Sequence, residues 1–269
     1  MQGIYKNKLA EVSYEVIGKG LPVVFLHGYE LNSNTTKYWF EPIYKTLKGF
    51  QRIYFDLPGM GKSKAGTELK NADDMREVII DFINFIIPNQ RFYLVGLSYG
   101  AYLGLGLLSK IPESVIRSLL VCPVIKADTK KRNLPAFRIA FKDDSFIKTL
   151  SKAEYDSIKT WMVIQNLETY NRYLKELVPA LKSGQKAFQK DFMAYGYAFK
   201  DEDRIYKKSI DVPILFLCGK EDNCVGYQDT IDLSRNFSRT DVIILSEAGH
   251  NLPIEQRDKF EKIVQDWQS

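Results

Sequence analysis

RFYLVGLSYGAYLG, residues 91–104, decides how the rest of the chain is read. Arg91–Leu97 carries Phe92, Tyr93, Leu94 and Val95, an apolar, partly β-branched run of the kind a buried strand shows. Gly96-Leu97-Ser98-Tyr99-Gly100 follows at once, and Ala101–Leu108 continues as a small, apolar helical pattern. Strand, tight turn and helix form the context in which a G-x-S-x-G serine is presented for chemistry. Gly96 and Gly100 relieve crowding that a Cβ would create on so sharp a turn. The Ser98 hydroxyl then stands over a helix N-terminus, whose unpaired N–H groups favour developing negative charge.

The pentapeptide alone proves little, because Gly and Ser at roughly 7% each make a chance match in this length about a one-in-ten event. It needs a base and an orienting acid. Only two histidines exist, His27 and His250. His250 follows the strand-like run Val242–Leu245, and Asp222 follows Pro213–Cys218. Both loops belong at the carboxyl edge of a parallel sheet, the edge that also carries Ser98. Glu221 and Asp229 compete with Asp222, and His27 competes with His250.

Working outward, the alternation of β and α patterns from Pro22–Leu26 to Ile116–Val121 predicts a mostly parallel central sheet flanked by helices. An antiparallel hairpin over residues 4–17 precedes it. Helices are expected over 35–48, 72–87 and 227–237, with a closing helix to Trp267. From Pro123 to Ser209 the rhythm changes: no buried strand is expected, aromatics are dense, and Ser151-x-x-Glu154 reads as a capping box. The expected organisation is therefore a core of residues 1–122 and 210–269, interrupted by a helical cap at 123–209.

The 269 residues, 45% hydrophobic and 26% charged, suit one α/β core with an insertion. The first residues lack the apolar run of a signal peptide, and no apolar stretch is long enough to span a bilayer, so a cytoplasmic protein is expected. Residues 123–209 hold 18 Lys and Arg against 11 Asp and Glu; the remainder holds 20 against 22. A lysine-rich solvated exterior accounts for this, with attraction of anionic substrates as the alternative. No nucleic-acid motif is present. Cys122 and Cys218 read as small buried hydrophobes, and Cys224, in a loop, as a candidate reactive thiol. No cluster has metal-ligand spacing, so neither a metal nor a cofactor is expected. Oligomeric state leaves no signature in these residues.

The order Ser98…Asp222…His250, the elbow, His27-Gly28-Tyr29-Glu30 after one strand and Asp56-Leu-Pro-Gly-Met-Gly-Lys-Ser63 after the next together resemble the α/β-hydrolase superfamily. The resemblance spans essentially the whole chain apart from the insertion. It implies Ser98 as nucleophile, His250 as general base and acid, and Asp222 as the group that holds the imidazole. It further implies an oxyanion hole from the backbone N–H groups of Tyr29 and Tyr99, and His27 as a loop organiser. Many relatives carry Gly or Ala where Tyr29 stands, so a ring there narrows the acyl side of the site. Serine at the elbow excludes the branches that use aspartate, the epoxide hydrolases and haloalkane dehalogenases.

The implied activity is hydrolysis of small carboxylic esters or thioesters through an acyl-enzyme. Aminopeptidase, carbon–carbon bond hydrolase and cofactor-free perhydrolase chemistry use the same residues. An aminopeptidase needs a carboxylate for the substrate ammonium, for which Asp143, Asp144, Glu154, Asp156 and Glu168 are available. A ligand receptor on the same fold is the non-enzymatic alternative.

Overall fold

Leu21–Leu26 and Phe92–Leu97 lie side by side at the centre of the molecule, buried at every position except Leu21. Burial on both faces is what a near-continuous apolar run allows, and each such side chain contributes about 1.5–3 kcal/mol. Around them, the computed structural model describes residues 1–268.

In chain order the elements are β1 (Gln2–Lys6), β2 (Ala10–Gly18), β3 (Leu21–Leu26), α1 (Ser33–Tyr44), β4 (Phe50–Phe55), β5 (Lys64–Ala65), α2 (Ala72–Ile86), β6 (Phe92–Leu97), α3 (Tyr99–Lys110) and β7 (Val115–Val121). After β7 come β8 (Phe141–Lys142), α4 (Asp144–Ile147), α5 (Lys152–Asp156), β9 (Ile164–Gln165), α6 (Leu167–Glu176), α7 (Val178–Leu181), α8 (Lys186–Tyr195) and α9 (Glu202–Lys207). The chain closes with β10 (Ile214–Gly219), α10 (Gln228–Ser234), β11 (Thr240–Leu245), α11 (Leu252–Glu255) and α12 (Arg257–Gln268).

The main sheet runs β1-β2-β4-β3-β6-β7-β10-β11, with the short β5 against β2. Pairing is antiparallel at β1–β2, β2–β4 and β2–β5, and parallel from β4 onward. The expected α/β class and mostly parallel sheet are therefore found, and the parallel strands end at one edge. Strand boundaries differ where pairing extends an element. Where the sequence predicts a strand over Arg52–Phe55, β4 begins two residues earlier, because Phe50 and Gln51 take up partners on β3.

Helix boundaries differ for local reasons. α1 starts at Ser33, earlier than expected, because the Asn32 side chain accepts the Asn34 N–H at 3.1 Å and caps it. α2 has a full capping box from Asn71 and Asp74. The closing helix is split into α11 and α12 around Gln256.

Between β7 and β10 the chain is built of short helices. The box at Ser151 and Glu154 is present, although α5 ends at Asp156, and Ile158 and Met162 are buried beyond it in irregular chain. This stretch also contains a two-residue parallel ladder, Phe141 with Ile164 and Lys142 with Gln165, too short for an alternating pattern to reveal. Among the described residues, no helix is long and apolar enough to cross a membrane.

Candidate active site

Ser98 is the sharp corner between β6 and α3. Its backbone sits at φ 52°, ψ −113°, outside the comfortable regions for a residue with a Cβ. Such a conformation costs of order 1–3 kcal/mol and persists only when neighbours dictate it. Here Ser98 N–H donates to Val121 O at 2.9 Å, while its carbonyl accepts from Ala101, Tyr102 and Val124. The two flanking glycines are required by space: a Cβ on Gly100 would lie 2.3 Å from Leu26 O, and one on Gly96 2.7 Å from Ala101 Cα. The turn therefore packs directly onto the ends of β3 and α3.

The two loops beyond β10 and β11 converge on this corner. His250 Nε2 lies 3.0 Å from Ser98 Oγ, and His250 Nδ1 lies 2.8 Å from Asp222 Oδ2. Asp222 is completely buried; its second oxygen, Oδ1, accepts the N–H groups of Cys224 at 2.9 Å and Val225 at 3.0 Å. Those donors hold the carboxylate edge-on, so Nδ1–H donates to Oδ2 and Nε2 is free to accept the serine proton. Burial opposes protonation of His250, but the charge and hydrogen bond of Asp222 outweigh it, and the imidazole pKa lies above its ordinary value. The three residues thus form one continuous relay that can take a proton from the hydroxyl and hold it.

Tyr29 follows Gly28 in the loop after β3, and Tyr99 directly follows Ser98 at the start of α3. Their rings meet edge to face at 5.4 Å, and Gly28 is close enough that a Cβ there would lie 3.5 Å from Ser98 Cβ. Among the described residues, neither backbone N–H has an acceptor in the chain. The Tyr29 ring is fixed from the inserted stretch: its hydroxyl donates to Gln189 O, and it packs against Phe192 and Tyr197.

The competing residues have other partners. His27 is fully buried; its Nε2 accepts the Leu57 N–H at 2.8 Å and its Nδ1 faces Gly28 O at 2.7 Å, so it ties the His27 and Asp56 loops together. Burial lowers its pKa despite nearby Asp56 and keeps it neutral. Asp56 accepts from Ser33 N and Lys62 N, bracing its own loop and the start of α1. Glu221 accepts from Ala248 N and pairs with Arg138, and Asp229 pairs with Lys126 at 2.7 Å. Burial pushes the Cys224 thiol up to about 12, against the reactive-thiol alternative.

Cys122, Asp222 and His250 form the one grouping of metal-type ligands among the described residues, with ligand atoms within 4.8 Å of one another. Burial pushes the Cys122 thiol well up, while Asp222 and His250 already bind each other, so this donor set suits the relay better than a cation.

Two residues that the sequence reading passed over also hold the site. Arg132 donates to the carbonyls of Cys224, Lys126 and Ala127, bracing the Asp222 loop from the inserted stretch. Nothing in the basic run Lys130-Lys131-Arg132 distinguishes it. Glu255, nearly fully buried, accepts the Gly249 N–H at 2.6 Å and the Val163 N–H at 2.8 Å. Its signal was available: an acidic residue placed directly after the apolar run Leu252-Pro253-Ile254.

Comparison with known proteins agrees with this architecture. Residues 22–256 match the model of the alpha/beta hydrolase fold family. The chain is 25% identical to the AB hydrolase superfamily protein YisY of Bacillus subtilis (strain 168), over 93% of this chain and 92% of that one. It is 23% identical to a pimeloyl-[acyl-carrier protein] methyl ester esterase of Nitrosomonas europaea, over 90% and 93% respectively. The crystal structure of an alpha/beta superfamily hydrolase from Oenococcus oeni PSU-1 superposes with a TM-score of 0.87 at 31% identity, covering 96% of this chain and 95% of that one. With a family match across most of its length and the strand, elbow and loop order described above, this chain belongs to the alpha/beta hydrolase fold family.

Proposed function

We propose that the protein is a serine hydrolase of small carboxylic esters or thioesters, working through an acyl-enzyme on Ser98. The observation that carries this reading is the unbroken hydrogen-bond relay from Asp222 through His250 to Ser98, at 2.8 and 3.0 Å. His250 Nε2 takes the hydroxyl proton as Ser98 Oγ attacks the ester carbonyl, forming a tetrahedral oxyanion. The Tyr29 and Tyr99 N–H groups stabilise that oxyanion; losing one such donor costs about 10²–10³ in turnover in other hydrolases. The proton then passes from His250 to the departing alcohol or thiol. Water, deprotonated by the same imidazole, releases the acid and restores Ser98.

The stretch from residue 123 to 209 serves as a cap that limits substrate size and excludes water. None of this chemistry calls for a cofactor. The methyl ester esterase among the relatives supports an ester substrate.

The alternative chemistries keep the relay and change the bond. An aminopeptidase is less well supported, because the carboxylates available for an ammonium lie in surface structure. Asp143 caps α4, Glu154 closes the α5 box, Asp144 pairs with Lys142, Asp156 pairs with Lys159, and Glu168 is exposed.

Fluorophosphonate labelling tests the reading. The wild-type protein should label and Ser98→Ala should not; an unlabelled wild type points instead to a receptor. A panel of p-nitrophenyl esters from acetyl to long acyl, with an amino-acid anilide beside it, then reads the bond. Turnover of the anilide alone would rule out the ester assignment.

A further inference from the structure

Glu255 has no part in the relay, yet it is the point where three separate pieces of chain meet. It ends α11 and lies nearly fully buried. One oxygen, Oε2, accepts the N–H of Gly249, the residue before His250, at 2.6 Å. The other, Oε1, accepts the N–H of Val163, in the inserted stretch, at 2.8 Å. A Cβ on Gly249 would lie 3.0 Å from Val163 Cγ1, so the histidine loop and the insertion are also in van der Waals contact. α11 is itself held from the insertion: Arg172 of α6 donates to the carbonyls of Pro253 and Ile254.

We propose that Glu255 is a positioning residue for His250: its carboxylate clasps Val163 and Gly249 together, so that the imidazole keeps its register with Ser98 only while the insertion is seated. The proposal rests on the reading of Ser98, His250 and Asp222 as a catalytic relay. It also makes the insertion part of the catalytic apparatus and not only a lid.

The chemistry of the clasp is specific to a carboxylate. Both oxygens receive backbone donors, so both must be acceptors. A glutamine can offer one oxygen; its amide nitrogen would face an N–H and repel it. An aspartate is one methylene too short to span both partners. Protonation of Glu255 has the same consequence as amidation, because it too removes one acceptor. Burial pushes the carboxyl up to about 7, against the stabilising N–H bonds, so the clasp weakens as pH falls through neutrality.

The groups facing Glu255 are few. Asp222 and His250 approach from the loops after β10 and β11, with Cys122 beyond β7 and Cys224 beside Asp222. Arg172 is engaged by Glu176 at 2.8 and 3.0 Å. Of these, Asp222 raises the Glu255 pKa, and the Glu255 charge in turn raises that of His250.

The test reads both the imidazole and the reaction. With His27 buried and its pKa lowered, His250 is the histidine expected to titrate in a histidine-selective NMR experiment. In Glu255→Gln the His250 pKa should fall below its wild-type value. On p-nitrophenyl acetate, kcat should drop about 10- to 100-fold, the scale of a misplaced catalytic group. Glu255→Asp should fail to restore it. Should Glu255→Gln not fold, the wild-type titration decides: the His250 resonances should show a second inflection as Glu255 protonates near neutrality. An unmoved His250 pKa with wild-type kcat in the variant, or a single inflection in the wild type, would overturn the proposal. Loss of the relay reading is separately visible, as fluorophosphonate labelling that survives in Ser98→Ala.

Discussion

Asp222 uses its two oxygens differently, and that asymmetry predicts what an isosteric change does. Oδ1 is claimed by the N–H groups of Cys224 and Val225, and only Oδ2 meets the imidazole. In Asp222→Asn the amide oxygen must stay with those N–H donors, which turns its NH2 toward His250 Nδ1. The imidazole is then forced into the tautomer with its proton on Nε2, where it cannot accept from Ser98. Turnover at neutral pH should fall by about 10⁴-fold, the scale of the same change in a serine protease. The pH profile supplies the second check. Because Asp222 raises the His250 pKa, the acidic limb of kcat/KM in the wild type should lie above that of an ordinary imidazole. Removing the charge should move the residual limb to lower pH. The same raised pKa stabilises the fold below the ordinary imidazole value, and that contribution disappears as pH rises through the folded-state pKa. Single residues of this kind were legible to different degrees. Ser98, His250 and Asp222 are marked by motif and chain order, whereas Arg132 reaches the Asp222 loop through one carbonyl, that of Cys224, 92 residues away, and leaves no trace in its neighbours.

The elements that carry these residues were visible in the sequence wherever burial is complete on both faces. β3 and β6 are continuous apolar runs, and the glycines between β6 and α3 mark the turn. Ends were less legible, because they depend on partners elsewhere in the chain, as with β4, or on one capping side chain, as with Asn32 at α1. The closest contact in the elbow gives the prediction at this scale. A methyl on Gly100 would approach the carbonyl oxygens of Leu26 and His27 to 2.3 and 2.5 Å, rigid backbone that cannot step aside. Gly100→Ala should therefore destabilise the fold by about 1–3 kcal/mol, the range for overpacking a filled site. Urea unfolding measures this. Gly104→Ala, about one turn further along the same helix, meets only side-chain ends, Leu120 at 3.3 Å, Leu94 at 3.6 Å and Leu26 at 3.9 Å, and is the control that should be tolerated.

Across the whole molecule, the inserted stretch is fastened at both ends of the candidate site. Arg132, Arg138 and Thr160 reach the loop of Asp222, and Val163 reaches the loop of His250 through Glu255. A buried group further along, Glu176 with Arg172 and the Trp39 indole at 2.8 Å, ties α6 to α1. The sequence announced a helical, aromatic insertion but not this fastening, since hydrogen bonds to backbone groups on remote loops depend on tertiary placement alone. Its surplus of positive charge partly gathers away from Ser98. Lys200, Arg204, Lys207 and Lys208 line a cavity of about 650 Å³ together with Lys110, at the far end of the helix that begins just after the serine. Cations there complement the negative end of that helix.

The proposed chemistry turns on a covalent event at one hydroxyl, that of Ser98. Mixing the protein with excess p-nitrophenyl acetate, quenching in acid within the first turnover and mapping the peptides measures it directly. An acetyl group should appear on the peptide bearing Ser98, absent from Ser98→Ala and formed far more slowly in Asp222→Asn. An acetyl group on any other residue, or undiminished ester turnover in Ser98→Ala, would contradict it.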